Sequence, residues 1–174
     1  SMAGPLDAEA IRKDFPILQT TTSHGKPLVY LDSASTSQKP TVVIEAVNDF
    51  NRTYNANVHR GIYEIGERAT AEYERARANV ARFINAPDAH EVVFVRNATE
   101  AINLVAYSWG RANLHEGDVV VLTEMEHHAN LVPWLMLKEE RGIELRYLGI
   151  TDGYELDLSN LDQLLDGAKL LSFT

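Results

Sequence analysis

The chain has 174 residues, 45% of them hydrophobic, with 16 basic against 25 acidic side chains and a formal charge of −9. Such a content buries a core of ordinary size and excludes a wholly disordered chain, and the negative charge disfavours nonspecific attraction to nucleic acid or an anionic membrane. No cysteine is present, which excludes a disulfide framework, cysteine-ligated zinc or iron–sulfur sites, and a cysteine nucleophile on this chain.

No apolar run reaches the roughly 18 to 20 residues of a membrane span, and no basic segment followed by an apolar one opens the chain, so a soluble, cytoplasmic protein is expected. Ser1-Met2-Ala3-Gly4 reads as a tag-cleavage scar, residues 5–27 as an N-terminal segment, and residues 28–174 as one partial large domain. After an amphipathic stretch at Ala8 to Phe15, the compact apolar run Leu28-Val-Tyr-Leu31 between turn residues predicts a buried strand. Pro40 opens a predicted helix to about Tyr54, with Val42, Val43, Ala46, Val47 and Phe50 on one face. Asn55 to Gly61 is a loop by composition, and Ala69, Tyr73, Ala76, Val80 and Phe83 mark a long helix from about Gly66.

Glu91 to Val95 predicts a strand, Thr99 to Trp109 a helix, Asp118 to Leu122 a strand, Ala129 to Arg141 a helix, and Glu144 to Leu148 a strand. Asp152-Gly153 is a turn, Ser159 with Asp162 resembles a helix start before Leu161 to Leu165, and Lys169 to Phe173 is a final strand. Strands alternating with helices imply βαβ units and a largely parallel sheet. A sheet that breaks off inside an apolar strand exposes backbone groups, which predicts a truncated chain.

Two segments at the carboxyl ends of predicted strands invite a functional reading. At Asn97 to Glu100, capping alone accounts for every residue, with Asn97 as N-cap and Glu100 at the third helical position. The alternative is that the N–H groups of Ala98 and Thr99, with the Thr99 hydroxyl, hold a single phosphate at the helix N-terminus. No dinucleotide or nucleoside-triphosphate glycine motif accompanies it. In Glu124-Met-Glu-His-His-Ala-Asn-Leu-Val-Pro-Trp134, a metal site lacks an H-E-x-x-H arrangement and adjacent strand residues diverge, so no metal is expected. Helix capping by one histidine remains open beside an imidazole laid flat on an aromatic cofactor ring, positioning it and exchanging protons near neutrality.

Tyr30-Leu-Asp-Ser-Ala-Ser-Thr-Ser-Gln-Lys-Pro40, Asn57-Val-His-Arg-Gly61, Phe94-Val-Arg-Asn-Ala-Thr-Glu-Ala-Ile-Asn-Leu-Val105 and Glu124 to Trp134 resemble, in order and spacing, the N-terminal part of group II (SufS-type) cysteine desulfurases of the class V aminotransferase family. The resemblance implies an α/β architecture, fold type I of the pyridoxal 5'-phosphate (PLP) enzymes, with a mostly parallel sheet flanked by helices and incomplete in this chain. It implies a homodimer that converts L-cysteine to alanine, leaves an enzyme persulfide, and passes sulfur to an acceptor of the SufE or SufU type for iron–sulfur cluster assembly. On the same resemblance Ala98 and Thr99 bind the cofactor phosphate, and His127 stacks on the pyridine ring as the catalytic candidate. Ala34 and Ser35 lie beside the substrate, and His59 and Arg60 lie near the active site at the dimer interface.

Ala34-Ser-Thr36 replaces the family's Ala-Ala-Thr, and Ala98-Thr-Glu100 replaces Thr-Thr-Glu, which removes one hydroxyl donor. No lysine stands in the family's Ser-x-His-Lys context, no catalytic cysteine is present, and Asp166-Gly-Ala-Lys169 precedes a predicted strand where the family's aspartate motif follows one. Without the Schiff-base lysine and the thiolate, the isolated chain is expected to be inactive. The alternatives are a selenocysteine lyase, an epimerase-like or kynureninase-like enzyme of the same fold, or a non-catalytic short form that binds a partner.

Overall fold

The computed structural model describes residues 6–174, so the expected scar lies outside the described residues. These residues form two compact units divided between Val92 and Val93.

The first unit is helical. Helix α1 (Ala8–Arg12) starts where the Asp7 carboxylate accepts the Ala10 N–H at 3.0 Å, a standard N-cap. Helix α2 (Thr41–Asp49) follows Pro40 and continues through Phe50–Tyr54 in wider π turns, together matching the predicted helix. Helix α3 (Glu64–Phe83) begins two residues before the expected start, with Glu64 and Glu67 in its first turn and Arg82 in its last, each sign favourable to the helix dipole. Its first turn is clamped to the preceding loop by two glycines. A Cβ on Gly61 would stand 2.9 Å from the Gly66 Cα, so neither position has room for a side chain.

Leu28 to Leu31 is extended but joins no ladder, and Val29 and Leu31 are exposed. The strand expected there is therefore absent. An apolar run is strand-competent only when another strand satisfies its backbone, and among the described residues the only pairing nearby is the isolated bridge Thr21 to Pro27.

The second unit is the α/β part. Helix α4 (Ala98–Val105) runs into π turns at Ala106–Gly110 and a last turn, α5 (Arg111–Asn113). Strand β1 (Val119–Thr123), helix α6 (Val132–Arg141), strand β2 (Glu144–Leu148), helix α7 (Leu161–Leu165) and strand β3 (Ala168–Leu171) complete it. The strand order is β2-β1-β3, with both neighbours parallel to β1, as the βαβ pattern predicts. Every residue of central β1 is buried, which is what a Val-Val-Val-Leu run covered on both faces requires. Leu114, Val120, Leu122, Trp134, Leu137 and Ile143 form the core with Ala106. Gly142, at φ +70, ends α6 in the left-handed conformation that glycine adopts without Cβ strain.

The second expected strand that fails is Glu91 to Val95. Ala89–Glu91 is a short 3-10 turn and residues 92–95 belong to no strand, with Val93 and Phe94 exposed. The physical reason is the same, since β-propensity supplies a segment and pairing supplies the strand.

Candidate functional site

In the second unit, the carboxyl end of β1 turns into a loop that carries Glu126 and His127, then a 3-10 turn (His128–Asn130) that leads into α6. Helix α4 packs against this 3-10 turn, so the α4 segment that begins at Ala98 and Thr99 and the loop with His127 belong to one packed cluster. The Asn97 side chain accepts the Glu100 N–H at 2.9 Å, as an N-cap should. The reciprocal half differs from a capping box. The Glu100 carboxylate accepts the Arg96 N–H at 2.8 Å and the Arg96 Nε–H at 3.0 Å, and these bonds hold its pKa below the usual carboxylate range.

Among the described residues, the N–H groups of Ala98 and Thr99 and the Thr99 hydroxyl make no hydrogen bond, and both residues are exposed. Capping is thus satisfied by Asn97 without using the N–H groups of Ala98 and Thr99 or the Thr99 hydroxyl.

His127 makes the cap that the sequence allowed. Its Nδ1 accepts the Ala129 N–H at 3.0 Å, so it caps the 3-10 turn, and in the neutral ring the proton sits on Nε2. The ring is otherwise exposed, with the His128 ring tilted at 51° and 6.3 Å away. Glu126, within the Glu124 to Trp134 segment, is the most connected acceptor here. It accepts the Thr123 hydroxyl at 2.5 Å and the Asn130 Nδ2 at 2.8 Å. Asn130 is 5% exposed and in turn accepts the Trp134 Nε1–H at 3.0 Å and the Ser172 hydroxyl at 2.7 Å. The available signal was the four-residue spacing of Glu126 and Asn130; the Ser172 contact has no local signal.

In the first unit, Ala34 and Ser35 sit in an exposed turn in which the Asp32 carbonyl accepts the N–H groups of Ser35 and Thr36, each at 3.1 Å. The Tyr30 hydroxyl closes that turn on the Thr36 carbonyl at 2.6 Å. His59 has φ +66, an uncommon backbone for a residue with a Cβ, and three groups of α3 support it. Its N–H donates to the Thr70 hydroxyl at 2.8 Å, its Nε2 lies 3.3 Å from Glu74, and Tyr73 meets its ring edge-on at 5.6 Å. Sequence reasoning named His59 and missed all three partners. Arg60 is exposed beside it. Among the described residues, no hydrogen bond or ring contact joins the Ala34–Ser35 turn to the His59–Arg60 turn.

Among the described residues, no group of three or more His, Cys, Asp or Glu side chains is placed to hold a metal ion, and no helix is long and apolar enough to cross a membrane.

The family model described as Aminotransferase class-V matches residues 29–174. A probable cysteine desulfurase of Streptomyces coelicolor is 51% identical over 99% of the chain, and a cysteine desulfurase of Dickeya dadantii is 54% identical over 93%. The chain spans only 42% and 39% of the length of these two curated relatives. Among solved structures, the apo cysteine desulfurase of Thermococcus onnurineus superposes with a TM-score of 0.84 at 38% identity, covering 99% of this chain and 41% of that one. The desulfurase CsdA of Escherichia coli gives a TM-score of 0.76 at 39% identity, covering 96% and 41%. The expected fold type I architecture is met by these neighbours, of which this chain holds a part.

Proposed function

The chain belongs to the class-V aminotransferase family, and from that premise we propose that it is the cofactor-binding portion of a PLP-dependent cysteine desulfurase. The whole protein converts L-cysteine to alanine, leaves a persulfide and hands the sulfur to an acceptor protein of the SufE or SufU type. It works in the cytoplasm as a homodimer and serves iron–sulfur cluster assembly. The SufS-type subgroup and the division into an N-terminal segment to residue 27 and a partial large domain from residue 28 belong to the same proposal. The names of the relatives support the reaction, and one local observation carries the cofactor: unengaged N–H and hydroxyl donors of Ala98 and Thr99 on the helix that packs against the turn after exposed His127.

The donor set fits the group. Two backbone N–H groups and a hydroxyl at the positive end of α4 suit a phosphate dianion, and an exposed imidazole held by one nitrogen leaves a face for an aromatic ring. When bound, the cofactor supplies an electron sink for cleavage next to the substrate amine. Ala98 and Thr99 would hold the phosphate and His127 would orient the ring, with the proton on its Nε2 available for transfer. Ala34, Ser35, His59 and Arg60 serve substrate binding, with His59 and Arg60 near the dimer interface.

The test is titration of the chain with PLP, followed by absorbance and competed with inorganic phosphate. Thr99→Ala should weaken binding about tenfold or more, the scale of a hydrogen bond to a charged group, and His127→Ala should weaken it independently of phosphate. Equal affinity of the wild type and both variants would remove the reading.

A further inference from the structure

We propose that Glu126 is a positioning residue for His127, fixing its place and its tautomer at the carboxyl edge of the sheet. The proposal rests on the reading of His127 as the group that lies on the cofactor ring, and it adds the residue through which the fold controls that group.

The half-buried Glu126 carboxylate accepts four hydrogen bonds. Oε1 takes the Thr123 hydroxyl at 2.5 Å and the Thr174 N–H at 3.0 Å, and Oε2 takes the Asn130 Nδ2–H at 2.8 Å and the Thr174 hydroxyl at 2.6 Å. All four partners donate to the carboxylate; the Asn130 Nδ2 and the Thr174 N–H can only donate, one to each oxygen, so a Gln amide placed either way would turn an N–H toward one of them. Burial pushes the carboxyl up, but the bonds from Thr123, Thr174 and Asn130 outweigh it and hold Glu126 below the ordinary range.

The link to His127 runs through Asn130. While its amide Nδ2 donates to Glu126, its backbone N–H donates to the His127 carbonyl at 2.8 Å. Its Oδ1 is held by Trp134 and Ser172, and Trp134 is 1% exposed in the core. The five residues from Glu126 to Asn130 therefore form a loop closed at both ends, with the exposed His127 and His128 rings on it. Within that loop the Ala129 N–H points at His127 Nδ1, which is what leaves the proton on Nε2. Supporting hydrogen bonds of this kind orient a functional imidazole as they orient a metal-bound one.

The experiment is NMR of the full chain with ¹⁵N-labelled histidine, the His127 ring signals being assigned by their loss in His127→Gln. The wild type should show a non-protonated Nδ1 and a protonated Nε2 as separate resonances above the ring's titration range. In Glu126→Gln the two should move toward a common averaged position as the tautomers mix, and Thr123→Val should move them the same way by less. Thr123→Val keeps the carboxylate and its other three donors, so it decides the matter if Glu126→Gln does not fold. Ring resonances unchanged in folded variants would overturn the proposal, because a merely structural role lowers the melting temperature without altering the tautomer. Glu126→Gln should also weaken PLP binding roughly tenfold, with no added loss when combined with His127→Ala; additive losses would show that Glu126 does not act through His127. If His127→Ala alone binds PLP like the wild type, the functional reading fails, while the ring resonances still decide the role of Glu126.

Discussion

At the scale of single residues, close approach and capping set the local costs. Gly61 lies where a Cβ would press within 2.9 Å of the Gly66 Cα and 3.4 Å of the Asn57 carbonyl, all backbone that cannot swing aside. Gly61→Ala should therefore destabilise the first unit by about 1–3 kcal/mol, the range for overpacking, read by chemical denaturation followed by circular dichroism. Asn97→Ala removes the cap of α4 and should cost about 1 kcal/mol. It should also loosen the first turn that presents Thr99, so PLP affinity should fall with stability. A change in stability with unaltered affinity would separate the cap from the proposed phosphate site. Asn97, Thr99 and His127 were legible because short polar motifs at the starts of helices are local signals. The left-handed His59 and its support by Thr70, Tyr73 and Glu74 were not, since those partners lie on another element.

At the scale of elements, helices were read well because amphipathic spacing and caps are encoded within a few residues. Helix α7 and strand β2 have the expected bounds, and α3 starts two residues early because Tyr63 sits in an extended N-cap conformation. Strands divide cleanly by whether a partner exists. β1, β2 and β3 pair, whereas Leu28 to Leu31 and Glu91 to Val95 carry the same apolar, β-prone composition and belong to no strand of the sheet. The Glu126 carboxylate ties the ends of β1 and β3 together, and its lowered pKa gives a direction with pH. Its stabilising hydrogen bonds are fully present above the unfolded glutamate pKa of about 4.3 and are lost as pH falls through the lower folded value. Amide exchange at residues 170–174 should quicken over that acidic window, and Glu126→Gln should abolish the pH dependence there.

At the scale of the whole molecule, the second unit holds the larger buried core, and Leu137 stands within it at 1% exposure. Leu137→Ala should cost about 2–5 kcal/mol. Tryptophan fluorescence during urea unfolding reports this unit, since Trp109 and Trp134, the only tryptophans, both belong to it. A loss below about 1 kcal/mol would mean that the core closes around the gap. The sequence by itself determined the alternation of helices with parallel strands in the second unit, the two polar motifs at Asn97 and His127 and the family, because periodicity, capping and short motifs are written in neighbouring residues. Tertiary structure alone decided which β-prone segments become strands and that Glu126 joins Thr123, Asn130 and Thr174 in one network. The shared acceptor joins Glu126 to Thr174, 48 residues on, and β1 pairs with β3 across a comparable separation; only the folded chain brings such groups within hydrogen-bonding distance.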